Sequence, residues 1–197
     1  MTPVGRPPLA RAIYSIEDLR LDVPTEVLLD TSFVVDALID SQPSHEICAN
    51  FLLQLVEAET VLYFSRLLDL ELAEAAFRIA LRERYSSYKT AREDGRARRR
   101  AGRLMEEARA AWGEALSAFG YLRVEIHEVA DQAPALMTAH GLGSYDAVHA
   151  ATADHLGLDA IVTLDSGFAR LPSRFMLYTT SARLRPFRER RLHSRSS

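Results

Sequence analysis

Four acidic residues carry the chemistry of this chain: Asp30, Glu71, Asp146 and Asp165. Asp30 closes the apolar run "VLLD" and Asp165 closes "AIVTLD", with Thr163 pointing to the same side of that run. Both runs read as buried strands, and a carboxylate at the end of a buried strand needs a partner or a cation, or it gives up its ionisation. Glu71 lies in the helical stretch after "VLYFS", and Asp146 falls in the first turn after a Ser144 cap. If these four meet, mutual repulsion raises the pKa of at least one of them unless a cation joins them. Hard divalent ions take oxygen ligands, so a carboxylate-rich pocket without cysteine suits Mg2+ or Mn2+ better than zinc. Glu74, three residues beyond Glu71, competes for the same role.

The elements that would position these acids alternate between short β-rich runs and longer helical ones. From Glu26 the pattern predicts strand 27–30, helix 32–40, helix 44–59 and strand 61–65, then a long helical hairpin over 67–119 broken near Gly95. A strand at 121–127, helices at 129–141 and 144–156, and strands at 160–165 and 174–180 complete it, with Gly157 stopping the second of those helices. This order predicts an α/β fold with a mostly parallel sheet covered on both faces. In such sheets ligands bind outside the carboxyl ends of the strands, where Asp30 and Asp165 stand. Residues 1–25 are expected to form an arm with one capped turn at Ser15, residues 26–180 the domain, and 181–197 a basic tail.

In that order, "LLDTSFVVDAL", "SRLLDLELAEA", "GSYDAVHAATADHLG" and "AIVTLDSGF" resemble the four acidic motifs of PIN-domain ribonucleases, notably the VapC-type toxins of toxin–antitoxin pairs. The resemblance implies a PIN-like three-layer sandwich, with the hairpin as an insertion between the second and third motifs. It implies metal-centred roles for Asp30, Glu71, Asp146 and Asp165, with Ser32 or Thr31 and Thr163 as polar support, and it favours Glu71 over Glu74. It further implies Mg2+- or Mn2+-dependent cleavage of RNA, a homodimer and a cognate antitoxin. A module that binds RNA or acts as a scaffold without turnover, and an RNA-processing nuclease without an antitoxin, are the alternatives. His149, one turn after Asp146, reads as a packed residue in an Ala-rich helix, and Asp36, Asp40 and Asp154 as solvated helix faces.

The chain of 197 residues is 48% hydrophobic and 26% charged, ordinary for one globular domain. No run approaches the roughly 20 apolar residues that span a bilayer, and the first residues lack the apolar centre of a signal peptide, so the expected location is the cytoplasm, without membrane contact. The only cysteine, Cys48, reads as buried filler. The net charge of −3 hides a separation, because arginines crowd 92–103 and 183–195. Arg96, Arg98, Arg99, Arg100 and Arg103 are therefore expected to hold an RNA backbone. Phosphate-transferring aspartate enzymes and response-regulator receivers are disfavoured, since the sole lysine, Lys89, sits in the hairpin.

Overall fold

Six short runs rich in Leu, Val, Ile and Tyr form one parallel sheet in a computed structural model, which describes residues 12–18, 20–82 and 88–193. The strands are β1 (Ile13–Ser15), β2 (Glu26–Leu29), β3 (Val61–Ser65), β4 (Tyr121–Val124), β5 (Ala160–Val162) and β6 (Met176–Thr179), in the order β1-β6-β5-β2-β3-β4. Leu28 of β2 pairs with Tyr63 on one side and Ile161 on the other, so β2 is central. All strands run the same way, which puts every carboxyl end at one edge.

Side-chain alternation along the strands splits the core between the two faces. Val27 and Leu29 point into one apolar cluster with Phe33, Phe51, Phe64, Leu72 and Trp112, whereas Leu28, Ile161 and Leu177 point into another with Ala147, Ala150, Phe168 and Phe187. The first face is covered by α1 (Thr31–Leu38), α2 (His45–Glu57), α3 (Leu67–Arg82) and α5 (Gly95–Leu116). The second carries α8 (Ser144–Leu156) and α9 (Ser181–His193). Buried Ala147, Ala150, Ala151 and Ala153 let α8 lie close on the sheet. This is the expected α/β architecture, with helices on both faces. Among the described residues, no helix is long and apolar enough to cross a membrane.

The hairpin region consists of α3 and α5 packed on each other, with the short α4 (Tyr88–Glu93) between them. Asp94 starts α5 by accepting a hydrogen bond from the Arg96 backbone, at 2.7 Å. Five local features depart from the sequence expectation. Within the stretch read as an arm, Ile13–Ser15 forms the edge strand β1 on β6; three residues are too few to show a periodicity, and the pairing partner lies some 160 residues away. The strand expected at 121–127 ends at Val124, because Glu125 and Glu128 form a capping box that opens α6 (Ile126–Val129). The helix expected at 129–141 is α7 (Ala133–His140), and α8 has Gly143 rather than Ser144 as its N-cap. Residues 181–193, read as tail, form α9, anchored by the fully buried Phe187. Residues 1–11 and 194–197 lie outside the described residues.

Candidate active site

Asp30 leaves β2 in extended conformation, and its backbone N–H donates to the Val162 carbonyl at 3.0 Å, which holds it at the end of the β2–β5 ladder. Its side chain makes no cap bond to α1. Instead Oδ2 accepts from Ser32 Oγ at 2.5 Å and from Thr163 Oγ1 at 2.7 Å. Ser32 Oγ in turn accepts from the Leu164 backbone, and Thr163 Oγ1 from the Asp165 backbone, both at 2.9 Å. These bonds tie the two strand ends together through one carboxylate. Asp30 is only 4% exposed, and burial lifts its carboxyl above the ordinary range; His149, Ser32 and Thr163 act against that rise, and the charge of Glu71 adds to it.

Thr31 points the other way around the start of α1 and donates to Glu71 Oε2 at 2.6 Å. His149 Nε2 lies 2.7 Å from the same oxygen and 3.9 Å from Asp30 Oδ1. An ionised carboxylate only accepts, so Nε2 carries the proton of this contact. His149 is 1% exposed, and its Nδ1 finds no hydrogen-bond partner among the described residues. Burial opposes charging the ring, but the Glu71 hydrogen bond and the charges of Asp30, Glu71 and Asp146 outweigh it, so its pKa is raised. Glu74 faces solvent and pairs with Arg78 at 3.5 Å. Of the two candidate glutamates, Glu71 is the one hydrogen-bonded to residues beside Asp30.

Asp146 and Asp165 converge on Gly167. Asp165 Oδ1 accepts from the Gly167 backbone at 2.6 Å, capping the 3-10 turn Ser166–Arg170. A Cβ on Gly167 would stand 3.0 Å from that oxygen, close enough to press on the Asp165 carboxylate, and in ordinary contact with Asp146 Oδ2 at 3.5 Å. The Asp146 carboxyl is pushed up to about 6, first by burial and then by the charges of Asp165, Asp30 and Glu71, against the opposing effect of His149. All four acids line one cleft of about 580 Å³.

Among the described residues, no group of three or more His, Cys, Asp and Glu side chains is set to hold an ion as they stand. The donor chemistry nonetheless fits a hard cation. The donors are all carboxylate oxygens, and one oxygen each of Asp30 and Glu71 is taken by internal hydrogen bonds, which leaves the second for another partner. The Asp146 carboxyl is raised by burial first, and the charges of Asp165, Asp30 and Glu71 add to that rise. Cys48 is a free, buried thiol whose pKa burial lifts to about 12, which leaves it without thiolate character near neutral pH.

Several cleft residues escaped the sequence reading. Asp36, read as a wet helix face, lines the cleft and accepts from the Ser44 backbone at 3.3 Å. Arg78, Arg82, Tyr145 and Arg183 also line it. Arg78 and Arg82 follow Glu71 by seven and eleven residues, a helical spacing that could have revealed them. Arg183 belongs to the arginine-rich run 183–195, but its place in the cleft comes with α9, which that run did not announce. Arg96, Arg98, Arg99, Arg100 and Arg103 lie on α5 and are not among the residues lining the cleft. Arg98 donates to the Arg92 and Glu93 carbonyls, at 2.7 and 3.0 Å, and so caps α4.

The chain matches the PIN domain family over residues 27–173 and belongs to that family, whose members are nucleases. The structure is similar to that of VapBC2 from Rickettsia felis bound to a DNA fragment from its promoter, with 16% identity, a TM-score of 0.48, and 78% of this chain and 98% of that one covered. It is also similar to Mycobacterium tuberculosis VapC20, a sarcin–ricin loop cleaving toxin, with 16% identity, a TM-score of 0.46, and 68% and 86% covered. No curated protein sequence matches the chain significantly.

Proposed function

We propose that this PIN-domain protein is a divalent-metal-dependent ribonuclease that hydrolyses RNA phosphodiester bonds, acting in the cytoplasm as a VapC-type toxin held in check by an antitoxin. The observation that carries the nuclease reading is the convergence of Asp30, Glu71, Asp146 and Asp165 on one cleft at the carboxyl edge of a parallel sheet. The order of the four acidic segments supports the toxin assignment within the family, and the same resemblance suggests a homodimer.

Asp30, Glu71, Asp146 and Asp165 would hold Mg2+ or Mn2+. When bound, such an ion supplies Lewis acidity at the scissile phosphate and a water of lowered pKa. The chain's own part is positional. Ser32 and Thr163 fix Asp30, while Thr31 and His149 fix Glu71, so each carboxylate presents one defined oxygen to the cleft. No side-chain nucleophile is required.

Purified protein is expected to cut single-stranded or loop RNA with Mg2+ or Mn2+ and to stop in excess EDTA. Asp30→Asn should abolish cutting while keeping the fold, because an Asn oxygen still accepts from Ser32 and Thr163. Cleavage that persists in EDTA, or in Asp30→Asn, would overturn the metal reading; RNA binding without cleavage would point to the inactive module. An adjacent small reading frame whose product co-purifies with this chain and suppresses cleavage would establish the antitoxin, and an active protein with no such partner would be an RNA-processing nuclease instead.

A further inference from the structure

A nuclease of this kind must hold a polyanion over an acidic floor, so its backbone-binding cations belong on the walls of the cleft. Three guanidinium groups stand there. Arg78 and Arg82 lie seven and eleven residues beyond Glu71 on α3, and at about 100° per residue both project within about 20° of the Glu71 direction. They are one helical turn apart, about 6 Å along the axis. Arg183 enters from the other side, in the first turn of α9, with its backbone N–H donating to the Thr180 carbonyl at 2.9 Å. Between β3, which leads into α3, and β6, which leads into α9, lie β5 and β2. Three interstrand steps of about 4.8 Å place the ends of β3 and β6 about 14 Å apart, with Asp30 and Asp165 following the two strands between.

We propose that single-stranded RNA crosses the carboxyl edge of the sheet at right angles to the strands, its backbone gripped by Arg183 on the β6 side and by Arg78 and Arg82 on the β3 side, with a base stacked on Tyr145. This rests on the nuclease reading and adds the substrate's path. Arginine suits the task because its planar fork meets phosphate oxygens two at a time. The contact of Arg78 with Glu74 at 3.5 Å joins two half-exposed side chains at the cleft wall, within reach of solvent and of a phosphate. Tyr145 immediately precedes Asp146 and keeps 53% of its surface exposed inside the cleft lining, a flat face for an unstacked base. The arginines of α5 lie off this path, and Arg98 is engaged with α4.

The test measures binding of a short, mixed-sequence, single-stranded RNA to the full chain in EDTA across a salt series, by fluorescence anisotropy. The triple variant R78Q/R82Q/R183Q should bind about tenfold or more weakly and flatten the slope of log affinity against log salt by about 2, at roughly 0.7 per phosphate. R96Q/R99Q/R103Q should stay within about twofold of wild type with its slope unchanged. Tyr145→Phe should keep affinity and Tyr145→Ala lose about fivefold or more. Arg183→Gln alone changes one exposed side chain and should flatten the slope by about 0.7, which covers a triple variant that fails to fold. Loss of binding in the α5 variant, unchanged slopes in the cleft variants, or cleft variants that lose only an acidic protein partner would each overturn this path. If wild type cuts RNA with Mg2+ and the cleft variants keep its KM, the path alone falls; if wild type neither binds nor cuts RNA, the nuclease reading falls with it.

Discussion

Replacing Asp146 with Asn tests both the burial of its carboxyl and the charge of its neighbours in the cleft, because the effect on stability changes with pH. In the folded protein the Asp146 carboxyl is pushed up to about 6 from 3.8, by burial first and then by Asp165, Asp30 and Glu71. A rise of about two units corresponds to about 3 kcal/mol at 1.36 kcal/mol per unit. Asp146 is partly exposed, so screening by solvent brings that down to about 1–2 kcal/mol. The substitution also forfeits the favourable placement of an acid in the first turn of α8, about 0.3–1 kcal/mol. The sign follows from proton binding: with the folded pKa above the unfolded one, the folded state holds the extra proton between pH 4 and 6, so wild type loses stability as pH rises through that window. In EDTA at pH 8, Asp146→Asn should therefore be more stable by about 1 kcal/mol, a gain of about 2–4 °C in Tm, and the gap should close below about pH 4. Mg2+ at a hundredfold excess over its Kd should then stabilise wild type by about 2.7 kcal/mol and the variant much less. Urea melts of both proteins at pH 4, 5, 6 and 8, with and without Mg2+, provide the assay. A variant that is less stable by a pH-independent amount and responds fully to Mg2+ would refute the reasoning, since Asp146 would then be a helix-start acid and nothing more.

The pairing of His149 with Glu71 predicts that His149→Ala weakens Mg2+ binding by about 10–100-fold while His149→Gln, which can still donate to Glu71 Oε2, loses less. Calorimetric titration of the metal-free proteins checks this, and equal affinities would remove the histidine from the site. Phe64, fully buried between Trp112 of α5 and Tyr121 of β4, anchors the helical hairpin to the sheet. Phe64→Ala should cost about 3–5 kcal/mol in urea unfolding, and a cost below about 1 kcal/mol would mean that α5 is not docked there.

How much of this protein its residue order discloses depends on how local each signal is. The runs "VLLD" and "AIVTLD" announce buried strands that end in a charge, and one rule of parallel sheets brings their acids to a common edge, so the fold class and the meeting of Asp30 with Asp165 were legible from residue order alone. Glu71 and Asp146 were legible because they begin helices that leave or approach the same edge. The contact of His149 with Glu71 was not. An imidazole in an Ala-rich helix carries the same local pattern whether it packs or hydrogen-bonds a distant carboxylate, and only the approach of α3 brings the two within 2.7 Å. Nor could the sequence place β1, whose three residues become a strand only because β6 offers an unpaired edge. The arginines show the limit most clearly. Their crowding at 92–103 is a property of composition, whereas Arg78, Arg82 and Arg183 come to one cleft through the path of the chain across the sheet. Local patterns determine which residues are buried and which elements form, because burial and backbone hydrogen bonding act over a few residues. Which charges share a cleft depends on contacts between elements far apart in the chain, and that only the tertiary structure decided.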